Sequence, residues 1–118
     1  MTENQEQALL FEWSALMEHK HPELRLLFAI PNGGYRPPKT AAILKATGVK
    51  SGVPDICLPV PRGEHHSLYI ELKRRKGGSL SVNQRKWLKA LNEQGHKAVV
   101  CKGADEAMRT IVRYLECR

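Results

Sequence analysis

Asp55, Glu71 and Lys73 are two carboxylates and a lysine that a short hairpin would bring together. The runs Pro54–Val60 and Ser67–Lys73 read as strands, and Pro61-Arg62-Gly63-Glu64-His65-His66 between them reads as the turn. Opposed residues of an antiparallel pair are equidistant from the turn centre, and Asp55 and Glu71 lie symmetrically about Gly63. Side chains alternate along a strand, so Glu71 and Lys73 share a face. Ile56, Leu58, Ile70 and Leu72 then point the other way, into a core. Directly opposed carboxylates repel each other. The usual compensation is a hard divalent cation, Mg²⁺ or Mn²⁺, which prefers oxygen ligands. A lysine beside such a pair can orient or deprotonate an attacking water, or stabilise charge on a phosphate. This chemistry is metal-assisted hydrolysis of a phosphate ester. The competing reading is a hairpin edge carrying three charged residues into water.

A fourth acid comes from the first helix. Residues 3–20 place Leu9, Leu10, Trp13, Leu16 and Met17 on one stripe at about 100° per residue. Glu6 falls inside that stripe, Glu3 at its edge, and Glu12 and Glu18 off it. A carboxylate on a core-facing stripe must be neutralised, paired or bound to metal. At the start of a helix, however, it can also stay wet and favour the helix dipole.

The elements that position these residues follow from periodicity and punctuation. His21-Pro22 ends the first helix, Leu24–Ile30 reads as a strand, and Pro31-Asn32-Gly33-Gly34 stops it. A helical pattern runs from Pro37-Pro38 through Ala46 to a stop at Gly48. After the hairpin, Ser81 caps a helix over Val82–Glu93 that ends at Gly95. Lys97–Lys102 reads as a strand and Asp105–Glu116 as a last helix. The predicted order is α-β-α-β-β-α-β-α, an α/β chain with a small mixed sheet flanked by helices. With 118 residues and no repeat or linker, it is expected to be one domain spanning 1–118.

Charge points to the partner. The net charge is +7, and it is segregated. Residues 24–54 hold Arg25, Arg36, Lys39, Lys45 and Lys50 with no acid; residues 72–92 hold Lys73, Arg74, Arg75, Lys76, Arg85, Lys86 and Lys89, again with none. Such stripes suit a polyanion such as nucleic acid, with Arg36, Lys39, Lys50, Arg74, Arg75, Lys76 and Arg85 as candidate contacts. Asn32 joins them because the backbone of its glycine turn can approach a phosphate. Cys57, Cys101 and Cys117 show no CxxC spacing, which argues against a zinc site or a disulfide scaffold. Cys57 and Cys101 sit in apolar runs and read as buried thiols. The polar, acidic N-terminus is unlike a signal peptide, and no apolar run has membrane length. The expectation is a soluble protein of a reducing cytoplasm. His19, His21, His65 and His66 lack partners at metal spacing and read as surface residues. Trp13 and Trp87 read as core residues rather than platforms for bases.

Gly48-Val-Lys-Ser-Gly-Val-Pro-Asp55, then Tyr69-Ile-Glu-Leu-Lys73, then Gly78-Ser-Leu-Ser81 with Gln84, resembles the virus-type replication-repair nucleases (VRR-NUC), a branch of the PD-(D/E)XK superfamily. Pro31-Asn32-Gly33-Gly34 with Arg36 is similar to the stand-alone phage and bacterial members. The resemblance implies a restriction-endonuclease-like fold and cleavage of DNA with Mg²⁺ or Mn²⁺. It matches Asp55 and Glu71 to the metal-binding acids, with the Leu72 carbonyl completing the shell, and Lys73 to the catalytic lysine. It matches Gln84 to a glutamine that helps position the site, and Glu6, before Glu3 or Glu12, to an upstream helical acid. The stand-alone members resemble Holliday junction resolvases in size. A chain with one active site needs a second copy to cut two strands, so a homodimer on branched DNA is the expectation. A less selective flap or nicking nuclease, and a DNA-binding module without chemistry, are the alternatives.

Overall fold

The computed structural model describes residues 1–31 and 36–118; Asn32, and with it the glycine turn, lies outside the described residues. Four strands form one mixed sheet in the order β1 (Phe28–Ala29), β2 (Ile56–Leu58), β3 (Leu68–Lys73), β4 (Lys97–Lys102). Helices α1 (Glu3–Leu16), α2 (Pro38–Ala46), α3 (Val82–Glu93) and α4 (Ala104–Glu116) flank it. The predicted α/β architecture holds.

The hairpin has the predicted register. Ile56 pairs with Ile70, Cys57 with Tyr69 and Leu58 with Leu68, all antiparallel, so the pairing is symmetric about Gly63. β4 runs parallel to β3, with Glu71 beside Val100 and Lys73 beside Lys102. A parallel neighbour needs a crossover, and α3 supplies it.

Alternation sorts the sheet into two faces. Ile56, Leu58, Leu68, Ile70, Leu72 and Cys101 form one buried face, packed with Leu10 of α1 and with Ala107, Ile111, Tyr114 and Leu115 of α4. Each fully buried aliphatic side chain contributes about 1.5–3 kcal/mol, so this face carries most of the fold. The Tyr114 hydroxyl donates to the Val60 carbonyl at 2.6 Å, and Arg62 Nε donates to the Leu115 carbonyl at 3.1 Å. Together they tie the hairpin to the end of α4. The other face carries Tyr69, Glu71 and Lys73 and meets α3.

Several predicted elements change, most of them only at their ends. The first helix ends at Leu16 rather than residue 20. The run Leu24–Ile30 is not a strand: Pro22–Leu26 is a 3-10 helix, and only Phe28–Ala29 pair with β2. Pro22 at the first position presets the helical φ, and burial falls on Leu24 and Leu27, three apart. Asp55 stands just before β2, where its carbonyl accepts the Ile30 amide at 2.7 Å. The helices 38–46 and 82–93 and the strand 97–102 have the predicted bounds. Gly48 ends α2 at a φ of 103°, with Val49 N donating to the Leu44 carbonyl and Gly48 N to the Lys45 carbonyl.

Candidate active site

The site forms where β3 leaves the sheet. Continued by two residues, the hairpin register sets Asp55 beside Glu71 and Pro54 opposite Leu72. Proline has no N–H, so Pro54 cannot donate to the Leu72 carbonyl as a ladder residue would. The Leu72 amide instead donates to Asp55 Oδ2 at 2.8 Å. The Pro54-Asp55 pair thus swaps a backbone ladder bond for a carboxylate held against the end of β3.

The Glu71 side chain is only 2% exposed. Its Oε2 accepts from Gln84 Nε2 at 3.1 Å and lies 3.5 Å from Lys73 Nζ. Lys73 Nζ in turn donates to Gln84 Oε1 at 3.2 Å. Burial, followed by the neighbouring Asp55 carboxylate, pushes the Glu71 carboxyl up to about 8, although Lys73 pulls the other way. An acid pushed this far up is one that lacks sufficient positive charge.

Gln84 is fixed from two directions. Ser81 and Gln84 form a capping box: Gln84 N donates to Ser81 Oγ at 3.1 Å and Ser81 N donates to Gln84 Oε1 at 2.9 Å. Because Oε1 takes the Ser81 amide, Nε2 is left to face Glu71. One amide therefore caps α3 and orients both Glu71 and Lys73. The loop before Asp55 rests on the same helix start. Gly52 adopts a φ of 93°, and a Cβ there would lie 2.6 Å from the Asn83 backbone. Asn83 Nδ2 also donates to Ser51 Oγ at 3.4 Å.

Glu6 is fully buried, as its place on the apolar stripe predicts. Its oxygens, however, are satisfied by protein. Oε1 accepts the Ala104 amide at 3.1 Å and Oε2 pairs with Arg75 Nε at 3.2 Å. Ala104 opens α4, whose N-cap Gly103 offers no side chain, so Glu6 caps that helix from outside and meets its dipole. Among the described residues, no group of three or more His, Cys, Asp or Glu side chains could hold a metal. Glu3, exposed, comes to the Lys73 side: a Cβ on Gly78 would lie 3.7 Å from Lys73 Cδ and 3.9 Å from Glu3 Oε2. Glu12 is exposed.

The structure thus brings together Asp55, Glu71, Leu72, Lys73 and Gln84, and sets Glu6 in a second cluster with Arg75. Arg75 was expected among the nucleic-acid contacts, yet it pairs with Glu6 and also with Asp105 at 3.4 Å. Arg36, Lys39, Lys50, Arg74, Lys76 and Arg85 are exposed. Cys57 and Cys101 are buried and Cys117 is exposed, all as free thiols. Sequence reading missed the capping role of Glu6; Gly103, a helix start without a capping side chain, was the available signal.

A mixed four-stranded sheet flanked by helices, with two acids, a lysine and a glutamine gathered at a strand end, defines a nuclease-type protein. The comparisons agree. The VRR-NUC domain model matches residues 2–105, and a solved structure described as a VRR_NUC domain protein is similar over 98% of this chain and 89% of its own, with 30% sequence identity and a TM-score of 0.85. A search of curated proteins finds no match. The chain belongs to the VRR-NUC family, a nuclease family that processes DNA. Among the described residues, no helix is long and apolar enough to cross a membrane.

Proposed function

We propose that the protein is a Mg²⁺- or Mn²⁺-dependent endodeoxyribonuclease that cuts branched DNA, resembling a Holliday junction resolvase, as a homodimer. The observation that carries this reading is the buried Glu71 carboxyl, set against Asp55 and pushed up to about 8 beside Lys73. An opposed acid pair at the end of a sheet fits a hard divalent cation by its donor chemistry, and the family resemblance adds the Leu72 carbonyl to the shell. Asp55, Glu71 and the Leu72 carbonyl would hold it. Bound there, the ion supplies Lewis acidity and offsets phosphate charge.

The chain's own groups do the rest. Lys73 orients the attacking water or steadies charge on the scissile phosphate. Gln84 keeps Lys73 and Glu71 at fixed separation. Arg36, Lys39, Lys50, Arg74, Lys76 and Arg85 are the exposed cations offered to phosphates, and Asn32 is retained as a candidate on sequence grounds. Glu6 enters the metal shell only by giving up Arg75 and the Ala104 amide, so its proposed role is to fix the end of α1 against α4. One site per chain and two strands to cut favour a two-fold dimer.

The test is a cleavage assay of purified protein on four-way junctions, flaps, duplex and single strands, with Mg²⁺, Mn²⁺ or a chelator. Metal-dependent cutting with preference for the junction supports the reading. Equal cutting of all substrates leaves a less selective nuclease. Binding without cutting under any metal leaves a DNA-binding module. Sedimentation of the free and DNA-bound protein tests the dimer.

A further inference from the structure

α2 is a poorly packed element. Of its nine residues none is buried, and only Leu44 is half-buried. Isolated helices shorter than about 12–15 residues are marginal in water, and most helical stability comes from packing an apolar face. The glycine cap at Gly48 closes the last turn but does not replace that packing. Pro37, at the N-cap, contributes no capping side chain.

The charge around this helix says what can complete it. Arg36 precedes α2, Lys39 and Lys45 lie on it, and Lys50 follows it; all four are exposed, and residues 24–54 contain no acid. At about 100° per residue, Lys39 and Lys45 both fall on the half of the helix turned away from Leu44. A second copy of the chain would bring the same uncompensated cations to the contact. A phosphate backbone would neutralise them and release counterions. α2 also leads, through the turn anchored by Gly52 on Asn83, directly into Asp55.

We propose that α2 is an arm that lies along the phosphates of duplex DNA beside the cleavage site and is consolidated as a helix by that contact. This rests on the reading of the protein as a DNA nuclease and adds the element that grips the duplex. Lys39 and Lys45 supply the phosphate contacts.

The test measures binding of a labelled duplex by fluorescence anisotropy without divalent metal, and amide exchange across residues 41–47 with and without that duplex. The double variant Lys39→Glu/Lys45→Glu is compared with Arg113→Glu, an exposed cation on α4. The double variant should bind about ten- to a hundredfold more weakly, with a salt slope smaller by about two, whereas the control binds like wild type. Exchange across 41–47 should slow when wild type binds DNA. Unchanged affinity and salt slope in the double variant, or unprotected amides in the wild-type complex, would overturn the arm while leaving the nuclease reading intact. Failure of wild type to bind duplex at low salt would also overturn the arm, and the nuclease reading falls only if junctions are neither bound nor cut. A change in sedimentation of the DNA-free double variant, with DNA affinity retained, would assign α2 to a contact between copies and also overturn the proposal.

Discussion

Two buried glutamates in this small domain meet opposite surroundings. Glu6 is fully enclosed, and both its oxygens have partners of the right sign, the Arg75 guanidinium and the first amide of α4. Glu71 is nearly as enclosed, but its neighbours include the Asp55 carboxylate, and its carboxyl is pushed up to about 8. The first arrangement is complete as it stands. The second has one lysine and two neutral amides, those of Gln84 and Leu72, set against two acids, and a divalent cation is what would balance it. Burial of an acid is therefore a poor guide to metal binding by itself; what surrounds the acid decides.

The largest effect should come from the lysine. Lys73→Ala is expected to slow cleavage by about 10²–10⁴-fold with little change in fold, because the proposed mechanism has Lys73 act on water or phosphate at the end of β3. Single-turnover rates on a junction substrate measure this, and wild-type turnover would remove Lys73 from the chemistry.

Asp55→Asn and Glu71→Gln should each lose Mn²⁺ binding in calorimetry and lose cleavage. In chelator, each should melt at or above the wild-type temperature, since either change relieves the repulsion between the acids. Unchanged Mn²⁺ affinity in both would mean that the site lies elsewhere.

Glu6→Gln sharpens the comparison from the other side. Its loss should cost about 1.5–3 kcal/mol of stability, the range for hydrogen bonds to charged groups, because the Arg75 guanidinium loses its buried counter-ion. Mn²⁺ affinity should stay near wild type. A variant of wild-type stability that no longer binds Mn²⁺ would place Glu6 in the metal shell and end the distinction drawn between the two glutamates.

A further effect is in pH. Glu71 has an ordinary value of 4.5 and is raised to about 8 in the fold, so between these values the folded chain keeps a proton that the unfolded chain releases. Its contribution is full below the lower value and is lost as pH rises through the upper one. Metal-free wild type should lose melting temperature between about pH 5 and pH 8 relative to Glu71→Gln. Parallel melting curves for the two proteins would contradict the raised carboxyl.

Much of the site was legible because hairpin register is a local property. Symmetry about Gly63 sets Ile56 against Ile70 and so Asp55 near Glu71. Ser81 was readable as a cap from its place before a helical pattern. That the amide completing its capping box also reaches Lys73 and Glu71 depends on how α3 docks on the sheet, and periodicity is silent on that. The partner of Glu6 was hidden for the same reason: Arg75 is far away in sequence and reads as one more cation in a basic run. The segment from Leu24 to Ile30 was misread because an unbroken apolar run has no period to distinguish a strand from a 3-10 turn.

The central claim is that Asp55 and Glu71 form a cation site whose protonation is an alternative to the metal. Mn²⁺ titrations at neutral pH, by calorimetry in two buffers of different ionisation enthalpy, test it most directly. Wild type should release about one proton per ion bound, since Glu71 must ionise to act as a ligand, and Glu71→Gln should neither bind comparably nor release it. Tight Mn²⁺ binding with no proton release, unchanged by Glu71→Gln, would contradict the account.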